Sequence, residues 1–236
     1  MAIGGLAYGL VEGAVWAYGV AVFGGVLFVL VEARSRHPML PLSLFSSKEF
    51  TGAVLVGAAI NTGFYGELFL LSLYFQHIRG FTLLLAGLAL LPQPGIASLA
   101  SCLAGRHTAR FGPRPVMLIG LVVGALGLFA MALCGRDTSY WLLVVPLLAI
   151  GFGTAYTMPA ATAATIEAAP AGKAGTASGV LNSGRQIGST LGVAVFGALV
   201  AGTGDFMTGY RVSALVGGLV FAAGAVIARR TVRSGG

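Results

Sequence analysis

Two apolar stretches without a single charged residue, Phe81–Ala104 and Val116–Gly135, flank a short basic segment, Gly105–Pro115. Each stretch is about as long as the ~20 residues a helix needs to cross hydrocarbon. The segment between them reads Gly-Arg-His-Thr-Ala-Arg-Phe-Gly-Pro-Arg-Pro. Two spans joined by a short basic loop predict a membrane hairpin, with the loop retained on the cytoplasmic side. Placing that loop places all the others by alternation. An outer-membrane barrel would need short alternating strands, and these runs do not alternate. Composition agrees, with 57% hydrophobic and only 9% charged residues. A soluble domain is roughly a quarter charged. The expectation is an all-α, polytopic transmembrane helical bundle in contact with the lipid bilayer.

The net charge of +7 calls for no nucleic acid, because basic residues beside anionic lipid account for it. Cys102 and Cys134 fall near opposite ends of adjacent spans, so a disulfide is not expected. No metal-ligand spacing occurs, so neither a metal nor an organic cofactor is expected. Thirty-seven glycines suit close helix packing.

Met1–Val31 holds no lysine or arginine, whereas a secretory leader begins with a positive region. Residues 1–33 read as a shortened helix, a turn around Glu12 and a first complete span; one long tilted helix is the alternative. Residues 34–49, with Arg34, Arg36, His37 and Lys48, form a connector in which Pro38 and Pro41 interrupt helix. Residues 50–228 carry six spans: Phe50–Phe75, Phe81–Ala104, Val116–Cys134, Tyr140–Met158, Thr176–Ala201 and Val212–Ala228. Pro92 and Pro94 should break the second. Ala160–Ala174 is expected as a connector and Asp205–Arg211 as an outer turn. Residues 229–236 are the tail. Ten lysines and arginines fall on the basic-loop side: Arg34, Arg36, Lys48, Arg106, Arg110, Arg114, Lys173, Arg229, Arg230 and Arg233. Arg79, Arg136 and Arg211 fall on the other. This asymmetry predicts a cytoplasmic C-terminus in the cell membrane.

Polar residues inside spans are the candidates for function, because polarity in lipid is costly. On Thr176–Ala201, Ser178, Asn182, Arg185, Gln186 and Ser189 share an arc of about 100°. Gly184, Gly188 and Gly192 repeat every fourth residue on another face, suited to close helix contact. Arg185 lies roughly 14 Å from the basic end. It is either a cavity-lining residue or a structural arginine that snorkels or bonds backbone carbonyls. On Phe50–Phe75, Asn61, Tyr65, Ser72 and Gln76 form a stripe about 60° wide. Glu67 is off that stripe, roughly 24 Å up the span. It is either a proton carrier or a carboxyl bonded to a neighbouring helix. His37, His77 and His107 have no nucleophile beside them, so no enzymatic role is assigned. No phosphate-binding loop of the Walker type is present, which leaves an ion gradient or another subunit to drive any pumping.

Gly105-x-x-x-Ala109-Arg110-x-Gly112-x-Arg114 resembles the loop signature of the major facilitator superfamily, Gly-x-x-x-Asp-Arg-x-Gly-x-Arg/Lys, with Ala109 replacing the acidic residue. Leu73-Tyr-Phe-Gln76, Ala86-Gly-Leu-Ala-Leu-Leu-Pro92 and Gly184-Arg-Gln-Ile-Gly188 are similar to its fourteen-helix drug:proton antiporter branch. So is Glu32–Arg36 leading into Pro41-Leu-Ser-Leu-Phe45. The resemblance implies one six-helix half of such a transporter, helices nine to fourteen, preceded by about one and a half further helices. It implies proton-coupled efflux of hydrophobic or cationic drug-like compounds, with a separate N-terminal half as partner. Asn61, Tyr65, Gln76, Asn182, Arg185 and Gln186 would line the cavity, and Glu67 would be the coupling candidate. Gly105, Arg106, Arg110, Gly112 and Arg114 would form a cytoplasmic loop motif that ties adjacent helices at the gate. Since Ala109 lacks the carboxylate, its arginines are expected chiefly to set orientation. The alternatives are a non-transporting remnant or membrane interaction subunit, and an exporter of another metabolite.

Overall fold

The computed structural model describes residues 42–233. The expectations for residues 1–33, for Arg34, Arg36 and His37, and for the last three residues of the tail lie outside the described residues. After a 3₁₀ turn, Leu42–Ser46, seven helical segments follow. They are α1 (Lys48–Leu73, continued by a π-helical turn Tyr74–Ile78), α2 (Leu83–Ala89), α3 (Pro92–Phe111), α4 (Pro113–Ala132), α5 (Tyr140–Glu167), α6 (Ala174–Gly202) and α7 (Phe206–Thr231). With α2 and α3 forming one interrupted span, six helices among the described residues are long and apolar enough to cross a membrane. Among the described residues no strand occurs. The all-α transmembrane bundle expected from the apolar runs is what forms.

Local chemistry sets the helix ends. Ser47 caps α1 by accepting the Phe50 N–H at 3.3 Å, and Thr82 caps α2 by accepting from Leu85. Pro92 begins α3, where its missing N–H costs nothing. The span therefore breaks at Leu90 and Leu91, as the two prolines require.

Several boundaries differ from expectation. The basic segment is not a loop. Gly105, Arg106 and Arg110 ride the last turns of α3, Arg114 sits in the first turn of α4, and Gly112 alone joins the two helices. Gly112 has φ 79°, a value that side-chain-bearing residues rarely adopt. The connector expected at Ala160–Ala174 is helical as far as Glu167, because Pro159 is carried inside α5 and the alanines after it favour helix. The outer turn expected at Asp205–Arg211 shrinks to the residues before Phe206. Asp205 caps α7 there through the Thr208 N–H. Lys48, Glu49, Arg229 and Arg230, expected in the connector and the tail, are helical.

The packing forms two layers. In the first, α3 lies on α5, α5 touches α1, and α1 packs along α6. Behind them, α4 packs on α5 and α7, and α7 also packs on α1 and α6. The helices approach closely where glycine removes the side chain. A Cβ at Gly188 would strike the Ala58 backbone, and one at Gly192 the Thr62 backbone, so α6 lies directly on α1. The Phe221 ring fits between Gly63 and Gly124, and the Phe196 ring against Gly66. The α2–α3 span and α6 are the least buried of the six.

Polar contacts tie the turns at the end opposite the basic segment. Arg79 donates to the Arg136 and Thr138 carbonyls at 3.0 and 2.9 Å. Arg136 forms an ion pair with Asp205 at 2.8 Å. Tyr74 stacks on Tyr210 and donates to the Gly135 carbonyl.

Candidate functional site

The expected polar arc on α6 divides in two. Asn182 and Gln186 are exposed, as is Ser183 beside them. Arg185 is half-buried and turns toward α5, where its Nη2 donates to the Thr162 hydroxyl at 2.8 Å and the Met158 carbonyl at 3.3 Å. Thr162 also donates to the Met158 carbonyl. Gly57 of α1 leaves the room that the Arg185 stem and Leu181 use, since a Cβ there would press on Leu181 and meet Arg185 Cγ at 3.6 Å. One guanidinium thus bridges α6 to α5 across the face of α1. Its Nε is buried without a partner, so part of a forked donor stays unspent.

On α1, Gly57, Asn61 and Tyr65 follow at four-residue intervals and share one face. Asn61 is buried and donates to the Gly57 carbonyl of its own helix at 2.8 Å. Tyr65 is 42% exposed, with its ring edge-on to Phe64. Gln76 lies fifteen positions beyond Asn61, roughly 22 Å along the axis. It donates to the Ser72 carbonyl and hydroxyl. The structure therefore sets Arg185 against Gly57, the residue that Asn61 bonds on α1, leaves Asn182 and Gln186 exposed on α6, and puts Gln76 at the far end.

Glu67 lies within the bundle, 2% exposed, and its Oε2 accepts from Gln93 Nε2 of α3 at 2.9 Å. Glu67 Oε1 and the Gln93 amide oxygen are both buried without a partner. Gln93 also lines an open, mostly apolar groove of about 280 Å³ beside Phe64, Leu68 and Leu90. Burying a carboxyl with one hydrogen bond is costly. Gln93 escaped sequence reasoning. It stands between two prolines that read only as a helix break, and an uncharged amide carries no pattern of its own. Thr162 escaped because it fell in a stretch that read as connector.

The basic segment makes helix-end contacts. The Arg110 guanidinium lies 5.2 Å from the Phe111 ring centre, and His107 pairs with the Tyr156 hydroxyl, joining α3 to α5. Ala109 is exposed. Gly184 meets Val54 of α1 and completes the contact that Gly188 and Gly192 continue. Among the described residues no cluster of histidine, cysteine or carboxylate side chains could hold a metal.

A family model described as Major Facilitator Superfamily matches this chain over residues 1–193 and 94–234. The chain belongs to the Major Facilitator Superfamily. Among its relatives, the methylenomycin A resistance protein of Streptomyces coelicolor is 34% identical over 241 residues, covering 98% of this chain and 51% of that protein. The methylenomycin A resistance protein of Bacillus subtilis is 31% identical over 237 residues, covering 96% and 51%. The multidrug resistance protein Stp of Mycobacterium tuberculosis is 34% identical over 210 residues, covering 85% and 39%. The chain spans about half the length of the first two of these relatives. The fold is shared with a crystal structure of the peptide transporter POT in complex with sulfate, at TM-score 0.60 and 21% identity over 75% of this chain and 37% of that one. The superfamily chain described here is thus a multi-pass membrane protein whose exposed polar face lies on α6, beside the α1 stripe.

Proposed function

We propose that this chain is the C-terminal half of a proton-coupled exporter of hydrophobic or cationic compounds, acting with an N-terminal half. The observation that carries this reading is the exposed polar face of α6. Asn182 and Gln186 are uncovered on a membrane-spanning helix, and Arg185 reaches past them to α5. Hydrocarbon is a poor solvent for such a face. A water-filled cavity shared with a second bundle is a good one. Relatives described as resistance and efflux proteins support the substrate class, and the roughly half of two relatives that this chain does not span supports an N-terminal half.

Within this mechanism Asn182, Gln186, Arg185 and Tyr65 contact the compound from one side of the cavity. Asn61 holds the α1 face they rest against. Glu67 carries the proton, with the Gln93 amide holding its carboxyl in place. The cations gathered at the basic end support a cytoplasmic location for that end and for the C-terminus.

The test is export of a lipophilic cationic dye from an efflux-deficient bacterium that expresses the chain with an N-terminal half. Dye accumulation should fall, and an uncoupler should restore it. Glu67→Gln should keep the protein in the membrane but abolish the uncoupler-sensitive component. Accumulation unchanged by uncoupler would remove proton coupling from the reading.

A further inference from the structure

At the basic end, α1 and α4 begin where α7 finishes, and the three ends border an open concavity of about 680 Å³. Lys48, Arg114, Arg229, Arg230 and Arg233 line it, with Glu49 as the one carboxylate. Two helix N-termini add partial positive charge to the five cations, offset in part by the negative end of the α7 dipole. Glu49 is already engaged, because its Oε1 accepts the Arg233 N–H at 3.1 Å. That bond, the buried Val232 side chain and the tight fit of Thr231 against Gly52 hold the end of α7 onto the start of α1. The arginines of α7 are therefore presented from an anchored backbone beside Lys48.

Orientation alone would be served by cations scattered over this end. Here they converge on one concavity, and they do so where membrane-crossing helices end. Arginine forks match phosphate oxygens, and basic pockets between helix ends are suited to anionic headgroups. We infer that this pocket binds a phosphate group, supplied by an anionic phospholipid or by free phosphate. The inference is independent of transport and of the missing half.

Native mass spectrometry of the full chain, released from detergent with defined lipids, tests it. The protein should retain phosphatidylglycerol in preference to phosphatidylcholine. Arg229→Gln/Arg230→Gln/Arg233→Gln should lose about fivefold in affinity per cation removed, about a hundredfold in all. The matching triple lysine variant should keep most of the preference. Arg79→Gln/Arg211→Gln, at the opposite end, should keep all of it. Competition by millimolar inorganic phosphate without any phosphatidylglycerol preference would assign the site to the free anion. Equal retention of the two lipids without phosphate competition, or equal loss in the opposite-end variant, would overturn the inference.

Discussion

Asp205 serves three donors at once. Its Oδ2 accepts the Thr208 N–H and hydroxyl, both at 2.9 Å, and its Oδ1 accepts Arg136. The Thr208 backbone hydrogen bond first, then the Thr208 hydroxyl, with Arg136 adding to both, hold this carboxyl below the usual carboxylate value. A depressed value in the folded state means stability that is present above the unfolded value, about pH 4. That stability is lost as pH falls through the depressed one. The protection factor of the Thr208 amide, its exchange rate taken relative to the intrinsic rate at each pH, should accordingly fall in acid, and that of Asp205→Asn should change little with pH. A wild-type amide equally protected on both sides of that range would show that the cap does not depend on charge. Arg185 teaches another lesson at this scale. Its place on a polar arc was legible from spacing alone. Its partners, Thr162 and Met158, were not, since they lie on a helix twenty and more positions earlier and only packing brings them near.

Among the elements, α6 depends most on what it lacks. Val54, Ala58 and Thr62 of α1 face Gly184, Gly188 and Gly192, a register repeating every four residues on both helices. Replacing Gly188 by alanine should cost about 1–3 kcal/mol, because the obstruction is backbone that cannot rotate away. Gly179 on the same helix has open space around it, and Gly179→Ala should stabilise by up to about 1 kcal/mol. Chemical denaturation of the purified chain measures both, and equal effects would mean that the helices do not rest on these glycines. The repeat itself was visible in the sequence. Helix ends were harder to read. Pro159 and the small residues after it read as the end of a span, yet proline can be carried within a long membrane helix when neighbours restore the freed backbone bonds. The break at Pro92 was legible because proline at a helix start leaves no bond to restore.

For the whole molecule, the two least buried spans flank the bundle with contrasting surfaces. The α2–α3 span exposes Leu83, Leu84, Leu85, Leu88, Leu91 and Leu99, while α6 exposes Asn182, Ser183 and Gln186. In a Cys102→Ser/Cys134→Ala background, Asn182→Cys and Gln186→Cys should react with a membrane-impermeant maleimide in intact vesicles. Leu126→Cys and Leu219→Cys, on the exposed apolar faces of α4 and α7, should not. Equal labelling of all four would remove the distinction between a wet and an oily side. Helix number and class were readable from uncharged runs, because lipid forces every span to satisfy its own backbone. The pairing of Glu67 with Gln93 was not, because it depends on how two spans cross.

The joint at Gly112 leaves no slack between α3 and α4. With one residue between them, the Phe111 and Pro113 Cα atoms can stand at most about 7 Å apart, so the two helix ends stay close whenever either tilts. The first turn of α4 also carries Arg114 into the pocket beside Arg229 and Arg233. Any displacement of the α3 end would therefore reach the wall of that pocket through this one joint.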